Sequence, residues 1–282
     1  METINNYKNN VLREVKENTQ KYRTEFCEKT ITQSNKKCEY CGTPYQDIRI
    51  SCMINGIKQK PLTVTEPTCD CLARMEKEKA EKVRIDAEIR RKREQTAKLF
   101  ENSMMTPFFM AKRFENLEQT DEIIYCKRYA NNFIPQESKG IQMFGNPGTG
   151  KTTTLAAICN DLILRDYNCL FTPLSTLLDK FSSFSYLHSG DITELLQWLT
   201  AFDFVVLDDI GRETYTDKRK ENVFRIIDTL MNYRVVTAFT ANPEMIIKLK
   251  SIPELNAALD RLKEMCPIKF EFRGESYRGR GV

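Results

Sequence analysis

The chain has 282 residues, 41% of them hydrophobic and 29% charged, with a formal net charge of +4 at pH 7. That is apolar material for one large domain or two smaller ones, and too little positive charge to argue by itself for a nucleic-acid partner. Residues 1–10 are polar and no run long enough to span a bilayer is apolar throughout, so neither a signal peptide nor a membrane contact is expected, and a single histidine, His188, disfavours a histidine-based triad.

The expected location is cytoplasmic, where thiols stay reduced. Of the ten cysteines, Cys126, Cys159, Cys169 and Cys266 stand singly in apolar surroundings and read as buried thiols. The other six lie between Cys27 and Cys71 and point to metal rather than disulfides.

From residue 1 to about 72 the sequence is rich in Asn, Lys and Cys, with turn signals at Cys41-Gly42, Asn55-Gly56 and Glu66-Pro67. Small loops and hairpins are expected, and so small a core needs a staple. Cys38-Glu-Tyr-Cys41-Gly42 followed by Cys69-Asp-Cys71 supplies two close thiolate pairs, the first with the spacing of a zinc knuckle. Cys38, Cys41, Cys69 and Cys71 are therefore the candidate Zn²⁺ ligands, with Cys52 an alternative and Cys27 a weaker one.

Neither Gly nor Pro occurs from Thr68 to Thr106, and Ala73–Lys98 is mostly Lys, Arg, Glu and Ala, which predicts one solvated helix. At about 1.5 Å per residue it would span roughly 35 Å, the length of a spacer between domains. The run Arg90-Arg91-Lys92-Arg93 reads as a wet helix face, with contact to DNA phosphates or acidic protein the sharper alternative.

Beyond Pro107 the pattern changes. Apolar runs at 141–144, 169–172, 204–207, 235–239 and 268–272 alternate with helical stretches, the pattern of a parallel α/β sheet. The expected domains are 1–72 (zinc-binding), 73–106 (charged helical linker) and 107–282 (nucleotide-binding). In such sheets ligands sit beyond the carboxyl ends of the strands.

Gly145-Asn146-Pro147-Gly148-Thr149-Gly150-Lys151-Thr152 matches G-x-x-x-x-G-K-[ST] between the first of these strands and a helix expected from Thr153 to Arg165. A triphosphate needs main-chain amides converging on it, and glycines clear the way. Gly145 to Thr153 are the expected ATP cradle: Lys151 reaches the β- and γ-phosphates, and the Thr152 hydroxyl coordinates Mg²⁺. Phe204-Val-Val-Leu-Asp208-Asp209 is an apolar strand ending in two carboxylates. Asp208 is assigned to the Mg²⁺ shell and Asp209 to orienting the attacking water.

Together with Thr240-Ala241-Asn242-Pro243 at the end of a later strand, these motifs resemble the AAA+ ATPases. Asp260-Arg261-Leu262, Ser276-Tyr277-Arg278 and Arg113-Phe114-Glu115-Asn116-Leu117 resemble the DnaC/DnaI-type helicase loaders and their transposition relative IstB, over about residues 107 to 282. The resemblance implies a five-stranded parallel core with a truncated lid. It makes Arg261 a finger on a neighbouring subunit's nucleotide, Arg278 a γ-phosphate contact within its own subunit, and Asn242 the sensor that places the lytic water, with Thr240 its nearest rival. Many relatives carry a glutamate where this chain has Asp209, so slow, switch-like turnover is expected.

The cysteine module resembles that of the DnaI branch and implies docking on a hexameric replicative DNA helicase. Lys180-Phe181-Ser-Ser-Phe184-Ser-Tyr186 lies where such loaders bind single-stranded DNA, yet Phe181 and Phe184 also have the spacing of a buried helix face, which is the preferred reading. The function expected is ATP-dependent loading of that helicase, with self-association through Arg261. The rivals are a duplex-coating transposition helper and an adaptor that binds ATP without hydrolysing it.

Overall fold

A computed structural model describes residues 24–54, 56–188, 191–273 and 276–277. They fall into two compact units, one ending at Ile89 and one starting at Arg90.

The first unit is built on a four-stranded sheet. Strands β1 (Thr24–Lys37) and β2 (Pro44–Ile54) run antiparallel for most of their length, and β2 also pairs with the short β3 (Ile57–Lys58) and with β4 (Leu62–Glu66). The hairpins expected from the turn signals are present, but the strands of the first, 14 and 11 residues, are longer than small loops and hairpins suggest. The reason lies in the β-branched positions Thr30, Ile31, Thr32, Ile48 and Ile50, which suit a pleated surface and meet across it, Ile31 facing Ile48 and Ile48 facing Val64. The sheet buries little: Cys38 and Ile48 are its only buried apolar side chains among the described residues.

Helix α1 (Cys71–Asn102) follows as one uninterrupted stretch with no buried residue. It is longer at both ends than the charged run predicts, and it starts on Cys71 itself.

In the second unit the short helix α2 (Pro107–Met110), a 3₁₀ turn (Phe114–Asn116) and α3 (Asp121–Asn131) precede the core. Thr120 caps α3, its hydroxyl accepting from the Ile123 N–H. Strands β5 (Ile141–Gly145), β6 (Cys169–Pro173), β7 (Phe204–Ile210), β8 (Val236–Ala241) and β9 (Ile268–Phe272) form one sheet in the order β6-β7-β8-β5-β9, every pairing parallel. All five apolar runs form strands.

Side chains alternate between the two faces of this sheet. Leu170, Val205, Leu207 and Phe239 join one core with residues of α5 (Leu174–Leu187), α6 (Thr193–Leu199), α7 (Asp217–Asn232), α8 (Pro243–Lys250) and α9 (Pro253–Met265). Cys169, Phe171, Phe204 and Val206 join the other with α3 and with α4 (Lys151–Leu164). Burial on both faces is why these strands are continuously apolar rather than alternating. The order also sets β5 between β8 and β9, so whatever follows β5 is flanked by the carboxyl ends of both.

Candidate nucleotide site and sulfur cluster

Two glycines shape the turn from β5 into α4. Gly145 has φ +146°, and a Cβ built on it would lie 2.3 Å from the Phe272 carbonyl oxygen of β9, so no side chain fits. Gly150, at φ +95°, is the left-handed residue from which α4 starts. The helix thus begins at Lys151, two positions before the expected Thr153, and it aims its first unpaired amides at the loop. Gly145→Ala is expected to cost about 1–3 kcal/mol of stability, read as a lower Tm; an unchanged Tm would mean that β9 yields without strain.

Lys151 is only 7% exposed. Its ammonium donates to the carbonyls of Gly145 (2.7 Å) and Asn146 (2.8 Å) and to Asn242 Oδ1 (3.2 Å). The Thr149 hydroxyl ties back to the Asn146 carbonyl at 2.9 Å.

The register of β7 on β8 slips between Leu207 and Ile210, and Asp209 takes φ +55°. That bulge re-aims the strand tip. Asp208, 7% exposed, accepts from the hydroxyls of Thr152 (3.0 Å) and Thr240 (2.7 Å) through the same oxygen. The Asp209 N–H donates to Thr240 Oγ1 at 2.8 Å, while the Asp209 carboxylate pairs with Arg212 at 2.6 Å. Burial raises the Asp208 pKa; the Thr240 and Thr152 hydrogen bonds oppose this, and the Asp209 charge adds to it.

The spacing of two of these oxygens fits a magnesium ion. Cis ligands of an octahedral ion at 2.0–2.1 Å are about 2.9 Å apart, and Thr152 Oγ1 and Asp208 Oδ1 stand 3.0 Å apart.

The loop after β7 is fastened by residues with no signal in the sequence. Glu213, 4% exposed, accepts from the Gly211 N–H (2.8 Å) and the Tyr215 hydroxyl (2.5 Å), and Lys248 donates to the carbonyls of Gly211 (3.1 Å) and Glu213 (3.0 Å). Burial drives the Tyr215 pKa up, with the neighbouring Glu213 charge adding to it.

Arg261, on α9, is bound within its own chain to Asp228 of α7, with its guanidinium 4.4 Å from the Phe224 ring centroid. Arg278 lies outside the described residues; Tyr277 before it is described. Phe114 of the Arg113–Leu117 segment is buried. Phe181 is fully buried and Phe184 packs against the same core, stacking on His188 with ring centroids 3.9 Å apart; Tyr186 is exposed. Phe181 thus follows the core reading.

In the first unit the sulfurs of Cys38, Cys41, Cys69 and Cys71 all lie within 4.8 Å of one another. The Gly42 N–H donates to the Cys38 carbonyl and the Cys38 N–H to that of Thr43, closing the knuckle. Zn–S bonds of 2.3 Å place tetrahedral sulfurs about 3.8 Å apart, so the cluster fits a zinc ion. Hydrogen bonding to Thr43 holds the Cys41 thiol down at about 6, while hydrogen bonding to Cys41 and burial push Cys71 up to about 12.

Cys52 stands outside the cluster, opposite position 27 in the β1–β2 register. It is disulfide-bonded, a departure from the expectation that metal rather than disulfides accounts for the six N-terminal cysteines. The Cys27 side chain lies outside the described residues.

The strand order, the loop after β5 and the acidic tip of β7 define the AAA+ class of P-loop proteins. A profile of the IstB-like ATP binding protein family matches residues 68–281, and the chain belongs to that family. It is similar to the replicative helicase loader DnaC of Escherichia coli (strain K12), 28% identical over 187 residues, covering 64% of this chain and 75% of that protein. It is also similar to the replicative helicase loader DnaI of Bacillus subtilis (strain 168), 28% identical over 107 residues, covering 38% of this chain and 34% of that one. Among solved structures, a crystal structure of the DnaC helicase loader shares the fold with a TM-score of 0.52 at 20% identity, over 60% of this chain and 100% of that one. None of the helices among the described residues is long and apolar enough to cross a membrane.

Proposed function

We propose that this protein is an ATP-controlled loader of a hexameric replicative DNA helicase. The observation that carries the reading is the meeting of Thr152, Asp208 and Thr240 beside Lys151 and Asn242, in a chain similar over 64% of its length to a replicative helicase loader. Lys151 and the amides opening α4 take the phosphates, and Thr152 and Asp208 hold Mg²⁺, which neutralises phosphate charge when bound. Asn242 and Thr240 position the attacking water with Asp209. Arg261 acts on a neighbouring subunit's nucleotide, with Asp228 and Phe224 presenting its guanidinium, and Arg278 completes its own subunit's site. The zinc module grips the helicase, and the region around Lys180 and the exposed Tyr186 meets single-stranded DNA.

Pull-down with a bacterial replicative helicase, beside binding to single-stranded and duplex DNA at one stated salt concentration, tests this reading. Retention of the helicase and a preference for single strands are expected. Duplex preference without helicase capture would favour the transposition helper instead.

Arg261→Ala is expected to lower turnover stimulated by self-association or DNA by about 10³-fold, with ATP affinity unchanged. Equal turnover in the two proteins would remove the finger role.

A second reading, an adaptor that binds ATP without hydrolysing it, is favoured by one contact. The Asp209 carboxylate is engaged by Arg212, and a carboxylate so paired is a poor partner for water. Phosphate release with and without single-stranded DNA separates the two.

A further inference from the structure

Which residues meet the nucleoside, as distinct from the phosphates, follows from the strand order. On the sheet, β5 has β8 on one side and β9 on the other. Among the described residues, Asn242 just past β8, Asp208 at the tip of β7 and Thr240 bonded to it are the groups suited to the terminal phosphate and its metal, and they lie toward β8 and β7. A triphosphate wrapped around the start of α4 with its γ end there must leave its ribose and base toward β9.

On that side, residues past β9 return to the phosphate loop. The Tyr277 N–H donates to the Gly148 carbonyl at 2.9 Å, and its ring lies against Gly150, 3.9 Å from where a Cβ would be. The Tyr277 hydroxyl donates to Glu118 Oε2 at 2.8 Å, reaching the segment between the 3₁₀ turn and α3. The ring nevertheless remains 45% exposed at the rim of the loop. An aromatic face beside the phosphate cradle, held at one end by main chain and at the other by a carboxylate, is suited to stack on a base.

We infer that Tyr277 is a binding residue for the nucleoside part of the bound nucleotide and that Glu118 positions it. This rests on the nucleotide-binding reading above. The ring packs on the base or ribose, and the bond to Glu118 holds the ring at its angle.

The experiment compares ATP with inorganic tripolyphosphate, which keeps the phosphates and lacks the nucleoside, by calorimetric titration of the full chain. Tyr277→Ala is expected to weaken ATP binding roughly 10-fold or more and to leave tripolyphosphate affinity unchanged. Tyr277→Phe keeps the ring and loses the bond to Glu118, so ATP binding falls roughly fivefold. Glu118→Ala should match it, and Glu118→Gln, which retains an acceptor oxygen, should restore most of the loss.

Equal losses for ATP and tripolyphosphate would make Tyr277 a prop for the phosphate loop and overturn the inference, as would unchanged ATP affinity in Tyr277→Ala. A wild-type chain that binds neither ligand would overturn the nucleotide reading itself, and this inference with it.

Discussion

Replacing Lys151 by alanine is expected to raise the dissociation constant for ATP by roughly 10- to 100-fold and to abolish hydrolysis. The side chain does two jobs. Its ammonium is nearly buried, yet it is satisfied by the carbonyls of Gly145 and Asn146 and by Asn242, which pins the loop to the end of β8 before any ligand arrives. A phosphate then adds a charge-assisted contact that no neutral residue supplies. The alanine variant loses both the pin and the charge. Titration calorimetry reads the affinity, and circular dichroism checks that the sheet, whose cores do not include this side chain, stays folded. Wild-type affinity in a folded variant would show that the loop does not hold phosphates.

Removal of metal from the first unit is the other large effect. Between β1 and β4 the described residues bury only Cys38 and Ile48 among apolar side chains, and so small a core does not offset the entropy of ordering strands of 14 and 11 residues. Structural zinc contributes about 10–16 kcal/mol in apparent free energy. Cys38→Ser or a strong chelator is therefore expected to release one zinc per chain and to melt this unit, while ATP affinity, which the proposed function assigns to the second unit, is expected to persist. Metal analysis by mass spectrometry and the loss of β-sheet signal check this. A first unit that keeps its sheet after complete zinc removal would sink the structural role.

Legibility in the sequence depended on the range over which each feature is encoded. Lys151, Thr152 and Asp208 are recognisable because phosphate and metal chemistry demands particular residue types at short spacing, and the five strands because burial on both faces leaves continuous apolar runs. Harder to see were Thr240 as the partner of both Asp208 and Asp209, the Glu213 clasp on the loop after β7, and Tyr277 against Gly148 and Glu118. Each joins residues separated by a strand register, a bulge or the whole length of the unit. The long strands of the first unit were hidden for a related reason: Asn, Lys and Cys signal turns locally, whereas cross-strand pairs such as Ile31 with Ile48 stabilise only once the register exists.

From residue order alone came the phosphate loop, the acidic strand tip, the thiol pairs and the alternation of strand and helix, because each is written within a few consecutive positions. Tertiary structure decided that β5 lies between β8 and β9, that one oxygen of Asp208 serves two threonines, that four sulfurs converge, and that Arg261 rests on Asp228. Those are relations between distant segments, and packing free energy, not local propensity, selects among the arrangements the same short motifs would permit.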